Sequence, residues 1–166
     1  MNVEEAIKTA IDFEKRIWKA YQKAEDEVTG EAGKRIFGLL AQEEKGHVEY
    51  LESQLAMWKA TKKVDAEKLT TAVPSREIVR EKMASVESSL GGKTQASEVE
   101  LLQRALATER EATEFYRNMA QTLPQEEGRL FGRFLEIEED HTAIVQAEID
   151  YASRTGNWFD IQEFTV

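Results

Sequence analysis

The chain has 166 residues, 41% hydrophobic and 33% charged, with two prolines; that length supports one substantial core, so a single domain over 1–166 is expected. The absence of cysteine removes disulfides, thiolate nucleophiles, zinc ribbons and iron–sulfur ligation together, leaving oxygen and imidazole as the available metal ligands. A formal charge of −10 opposes binding to nucleic acid or anionic membranes, and with no long apolar run and no secretory pattern in "MNVEEAIKTA" the expected location is the cytoplasm.

The first predicted helix covers 3–28. Asn2 followed by Glu5 has the form of a capping box, and Ile7, Ala10, Ile17, Ala24 and Val28 fall on one helical stripe. Glu14 and Tyr21 lie on that same stripe, where burial is expected. Gly30 and Gly33 mark the turn into a second helix over 31–59. Its stripe of Phe37, Leu40, Leu51, Leu55 and Trp58 is interrupted by Glu44 and His47.

Residues 60–96, with Pro74 and the Gly91-Gly92 pair, form a long crossover in which Arg76 to Val86 can make a short helix. A third long helix is predicted over 97–122, capped by Ser97 with Glu100, with a stripe of Leu102, Ala105, Leu106, Ala112 and Met119 that includes Glu109 and Tyr116. The fourth covers 124–153, with Pro124 in its first turn and Gly156 as its stop; Glu138 and His141 lie within the stripe of Phe131, Phe134, Leu135, Val145 and Ile149. The tail "NWFDIQEF" is too apolar for free solvent, and it is expected to pack over the bundle end or against a second subunit, with a lid as the alternative. Trp18 and Trp58 are candidates for facing a partner. The fold class is therefore all-α: a four-helix bundle of two antiparallel hairpins joined by a long crossover, with a short C-terminal extension.

An internal repeat underlies this pattern. Glu14 and Glu109 lie 95 residues apart, as do Tyr21 and Tyr116 and the expected caps Asn2 and Ser97. Phe37 and Phe131 lie 94 apart, as do Glu44 and Glu138, and His47 and His141. The only two histidines thus each follow a glutamate by three residues, and the two E-x-x-H segments read as copies of one half-site. The plain alternative is a glutamate-rich surface with two satisfied histidines. Against it, every one of these residues falls mid-stripe, where four uncompensated carboxylates would be very costly to bury.

Two divalent cations cancel four carboxylate charges. A glutamate from each of two helices plus E-x-x-H from each of the other two is the inward ligand set of dinuclear carboxylate bundles. In that arrangement Glu44 and Glu138 bridge both metals and act in catalysis through them, while Glu14 with His47 and Glu109 with His141 complete the two ends. Oxygen-rich ligation with one imidazole per metal favours two iron ions, with manganese or zinc as alternatives. Tyr21 and Tyr116 are placed to hydrogen-bond ligand carboxylates across the bundle. Glu43, Glu111, Glu114, Glu136 and Glu139 are expected on the solvated face, and Glu148 receives no role.

Through "FEKRIWKAY", "EEKGH", "TEREATEFY" and "EEDH", nearly the whole chain resembles the rubrerythrin-like branch of the ferritin-like superfamily. The resemblance implies a ferritin-like fold and a di-iron centre that reduces hydrogen peroxide or oxygen, or that oxidises ferrous iron. It also implies association into homo-oligomers. Full-length rubrerythrins carry a four-cysteine rubredoxin-like domain, absent from these residues, so an external donor such as a rubredoxin-type protein is implied. Where rubrerythrins place a further glutamate one turn after the ligand of the third long helix, this chain has Ala112, with Glu111 and Glu114 nearby. Two other readings stand beside the oxidoreductase: a ferroxidase that handles iron, and a non-catalytic helical interaction module stabilised by metal.

Overall fold

A computed structural model describes residues 1–85 and 92–161. Its elements are α1 (Val3–Glu27), α2 (Glu31–Thr61), a 3-10 turn (Ala66–Lys68), α3 (Arg76–Ser85), α4 (Ala96–Thr122) and α5 (Gln125–Thr155). The architecture is all-helical, and no helix among the described residues is long and apolar enough to cross a membrane.

The four long helices run where the apolar periodicity predicts, with shifted ends. Asn2 accepts the Glu5 N–H at 2.9 Å while Glu5 accepts the Asn2 N–H at 3.0 Å, so α1 begins with the expected capping box. The cap of α4 corrects the expected one: Glu98, not Glu100, folds back to the Gln95 N–H at 3.0 Å, and Ser97 is exposed. The reason is tertiary. Glu98 also accepts the Thr29 N–H at 3.2 Å, so one buried carboxylate satisfies backbone donors from two connections.

Pro124 is the N-cap of α5 and precedes its first turn, and Gly156 ends the helix with φ 73°. Helix α2 extends two residues beyond the expected end and closes on Lys62 with φ 57°. Gly33 belongs to α2 and not to the turn before it. Val86 and Gly91 of the expected crossover features, and Phe164 of the tail, lie outside the described residues.

Side-chain pairs fix the helix directions. Tyr21 reaches Glu109 while Tyr116 reaches Glu14, so α1 and α4 run antiparallel. His47 approaches Glu138 and His141 approaches Glu44, so α2 and α5 do likewise. With α1 packed on α2 and α4 on α5, the chain forms two hairpins related by an approximate twofold across the bundle. Helix α2 is 31 residues long, about 46 Å. The crossover therefore has to return along the bundle before α4 begins. It does so beside α2 and α5: Thr71 and Ala72 bond Glu43 of α2, Arg76 bonds Glu139 and Asp140 of α5, and α3 packs on α5.

Ile7, Ile17, Phe37, Leu40, Leu51, Leu102, Phe131 and Phe134 are buried as their stripes predict. Leu135 is only half-buried, and its place in the core is taken by Ile137 and Ile144. At one end the tail closes over the bundle through Trp158, Phe159 and Ile161. The Trp158 ring meets Phe37 edge-on at 6.1 Å and lies against Gly33, where a Cβ would come within 2.8 Å of the indole. Glycine is needed there for close approach, not for a turn. Trp158 N–H donates to Gly92 O, Thr94 N–H donates to Gly156 O, and Asp160 takes two bonds from Arg35.

The twofold extends past the helices. Lys62 and Gly156, both left-handed caps, are 94 residues apart. Eleven residues separate Gln54 from the Asp65 N–H it accepts, and eleven separate Glu148 from the Phe159 N–H it accepts. Gln54 and Glu148 are also 94 apart, and each is 2% exposed. Each hairpin thus ends in a strap tied down by one buried side-chain oxygen of its second helix. Burial raises the Glu148 carboxyl to about 8, with the Asp160 charge adding to the effect and the Phe159 N–H opposing it.

Candidate metal centre

At mid-bundle the four long helices converge Glu14, Glu44, His47, Glu109, Glu138 and His141, each 2% exposed or less. Spacing of three puts the glutamate and histidine of each E-x-x-H on one face. The repeat brings the two faces together. His47 Nδ1 lies 2.9 Å from Glu14, 3.2 Å from Glu44 and 3.2 Å from Glu138. His141 Nδ1 lies 2.7 Å from Glu44, 3.4 Å from Glu138 and 3.8 Å from Glu109. The imidazoles stack nearly parallel, 5.4 Å between centroids and 6° between planes.

Two ligand groups emerge, each with its donor atoms within 4.8 Å of one another: Glu14, Glu44, His47 and Glu138, and then Glu44, Glu109, Glu138 and His141. They share Glu44 and Glu138, the two carboxylates expected to bridge. Tyr21 donates its hydroxyl to Glu109, and Tyr116 donates to Glu14. Both bonds cross from one hairpin to the other.

The side chains alone do not satisfy one another. Glu44 Oε1, Glu109 Oε2, both oxygens of Glu138, His47 Nε2 and both nitrogens of His141 are buried and form no hydrogen bond among the described residues, His141 Nδ1 and Glu44 Oε1 meeting only as a close charge pair. Such a concentration of orphaned lone pairs is foreign to ordinary cores and is what a cation would satisfy. The donor set, four carboxylates and two imidazoles, suits divalent metal. These buried groups can hold a metal ion.

Burial, reinforced by the charges of Glu138 and Glu44, drives Glu14 and Glu109 well above the ordinary carboxylate range. Burial would lower both histidines, but the carboxylates outweigh it, Glu44 foremost at His47 and Glu138 foremost at His141, and raise them. Burial also opposes ionisation of Glu44 and Glu138, yet the imidazolium charges win and hold both low. Without a cation, the cluster balances itself by carrying protons on Glu14, Glu109 and the two rings. Burial, together with Glu109 at Tyr21 and Glu14 at Tyr116, keeps both phenols protonated as donors.

No protein-family model, curated protein or solved structure matches this chain. The case for the centre rests on its residues. Glu111, Glu114 and Glu136 are exposed as expected, and Ala112 is buried with no carboxylate in its place. Glu139 is half-buried between Arg76 and Arg117.

Glu43 corrects the expectation of a solvated face. Its carboxylate accepts Thr71 Oγ1 at 2.6 Å and the Ala72 N–H at 2.8 Å, and it stands 3.7 Å from His141 Nε2. Burial is outweighed there by His141, Thr71 and Ala72, which bring its carboxyl down to about 2. A signal for it existed in the sequence, since position 43 is in register with Ile137, an apolar core position.

Proposed function

We propose that this chain is a rubrerythrin-like, ferritin-like protein that holds two iron ions and reduces hydrogen peroxide or oxygen with electrons from a donor outside these residues. The observation that carries the reading is the pair of four-residue ligand groups sharing Glu44 and Glu138. Glu14 and His47 would complete one metal position and Glu109 and His141 the other. When bound, an iron pair supplies two electrons to a peroxide or oxygen molecule.

The protein's own contribution is orientation and exclusion. Tyr21 and Tyr116 hold one oxygen each of Glu109 and Glu14 and so fix the orientation of both carboxylates, with the other oxygen of Glu14 facing His47. Phe134 packs edge-on to His47 at 5.3 Å, and the burial of all six ligand-type residues keeps bulk water from the centre.

The test is an anaerobic ferrous titration of chelator-treated protein, followed by stoichiometric peroxide and then oxygen, with the iron absorbance monitored. Two irons per chain, oxidised rapidly by peroxide and restored only by added reductant, is the expected result. Repeated oxidation of ferrous iron without reductant would replace this reading with the ferroxidase. Tight zinc without iron turnover would replace it with the interaction module. In the Glu44→Ala/Glu138→Ala variant, elemental analysis should find dinuclear binding lost, and unchanged stoichiometry would remove the site assignment.

A further inference from the structure

The twofold that relates the two half-sites breaks behind the histidines. His141 turns Nδ1 to the carboxylate cluster and Nε2 toward Glu43, 3.7 Å away. His47 also turns Nδ1 inward; the Nε2 atoms of both rings are buried and make no hydrogen bond among the described residues, but only the one on His141 has a carboxylate approaching it. The position that relates to His47 as Glu43 relates to His141 is residue 137, 94 residues on, which is a buried isoleucine. Donor atoms of Glu43, His47 and His141 fall within 4.8 Å of one another, yet only His141 comes as close as 3.7 Å to the carboxylate.

The difference has a chemical consequence for ligation through Nδ1. A neutral imidazole that offers Nδ1 as a lone pair carries its hydrogen on Nε2, and an acceptor behind the ring fixes that tautomer, aims the ring and raises its basicity. Glu43 can serve as that acceptor for His141. The crossover keeps it in place, because Thr71 and Ala72 each donate a hydrogen bond to one of its oxygens. His47 has Phe134 edge-on to its ring, and the position in register with Glu43 is Ile137; neither side chain can accept a hydrogen bond.

We propose that Glu43 is a positioning residue for His141, and that it makes the two metal positions unequal, the position completed by Glu109 and His141 filling first and more tightly. This rests on the dinuclear reading above. It goes beyond it by ordering the two ions and by making the crossover part of the centre, through Thr71 and Ala72.

The experiment is a cobalt(II) titration of chelator-treated, full-length protein, followed by calorimetry and by the visible ligand-field bands. Two steps are expected, separated by about tenfold or more. His141→Ala should remove the tight step, and His47→Ala the weak one. Glu43→Ile, which copies residue 137 of the other half, should weaken the tight step by about 10- to 100-fold and merge the two. Glu43→Gln keeps the shape and an acceptor oxygen, and it should preserve the order of filling even if the isoleucine variant folds poorly.

Wild-type steps that stay separated in Glu43→Ile, or a glutamine variant that loses as much as the isoleucine one, would overturn the role of Glu43 while leaving the dinuclear centre intact. A wild-type protein that binds no cobalt would overturn the dinuclear reading itself, and this inference with it.

Discussion

Replacing Glu148 with glutamine should stabilise the protein, and by an amount that grows with pH. The carboxyl is 2% exposed, accepts one backbone N–H from Phe159 at 3.1 Å, and leaves Oε1 without a hydrogen-bond partner among the described residues. Burial raises it from an ordinary 4.5 to about 8. A carboxyl raised on folding is protonated in both states below the lower value. Between the two values the unfolded chain ionises and the folded chain does not, so stability falls as pH rises. The loss is about 1.4 kcal/mol per pH unit, roughly 1 kcal/mol at pH 5.5 and on the order of 5 kcal/mol above pH 8. Glutamine keeps the acceptor oxygen and has no charge to bury, and Gln54 already performs the equivalent task for the Asp65 N–H. Urea unfolding of chelator-treated protein, followed by tryptophan fluorescence at pH 5.5 and pH 9, reads the difference. The variant's advantage should be larger at pH 9 by about 3 kcal/mol or more. An equal effect at both pH values, or a loss at both, would refute the assignment of a neutral carboxyl tying down the strap.

Loading two divalent ions per chain near pH 7 should release about four protons, one each from Glu14, Glu109, His47 and His141, because all four are raised on folding and must give up a proton to ligate; an indicator dye in weak buffer counts them, and fewer than two would contradict the charge balance drawn here. Tyr21→Phe and Tyr116→Phe should each weaken metal binding by about 10- to 100-fold in competition with a chelating indicator, and unchanged affinity would show that the cross-hairpin bonds do not orient the carboxylates. Gly33→Ala should destabilise by about 1–3 kcal/mol, since its methyl meets the Trp158 ring. Gly46→Ala, in the same helix with nothing within 4 Å of its Cβ position, should stabilise by about 0.5–1 kcal/mol. Thermal melts of the pair test whether the tail packs as described.

The centre was legible in the sequence because each of its residues is polar where the periodicity demands an apolar one, and because each recurs at 95 or 94 residues. Periodicity carries that information locally. Glu43 escaped for the opposite reason: it is one of two adjacent glutamates, and its place is decided by Thr71 and Ala72, which reach it only when the crossover runs back beside α2. The cap of α4 escaped in the same way. Ser97 is the better capping residue by type, but the Thr29 N–H, presented by the connection between α1 and α2, rewards Glu98 instead. Gln54 and Glu148 share the offset of the histidines, yet neither a buried amide nor a buried acid shows from sequence which backbone N–H it will meet. The resemblance to rubrerythrins contributed the expected redox chemistry; the geometry of the six side chains contributes a buried cluster that can hold a metal ion.

The approximate twofold has a consequence for how little chain is needed to write such a centre. A fragment carrying only α1, α2 and the strap after Lys62 has one copy each of Glu14, Tyr21, Glu44 and His47, which is half of every bond across the cluster. Two such fragments facing each other antiparallel would supply four carboxylates, two imidazoles and two tyrosines in the arrangement the whole chain achieves. Self-association of that fragment, with metal recovered only in the dimer, would make the present chain the covalently joined and since diverged form of a symmetric pair, with Glu43 against Ile137 among the marks of that divergence.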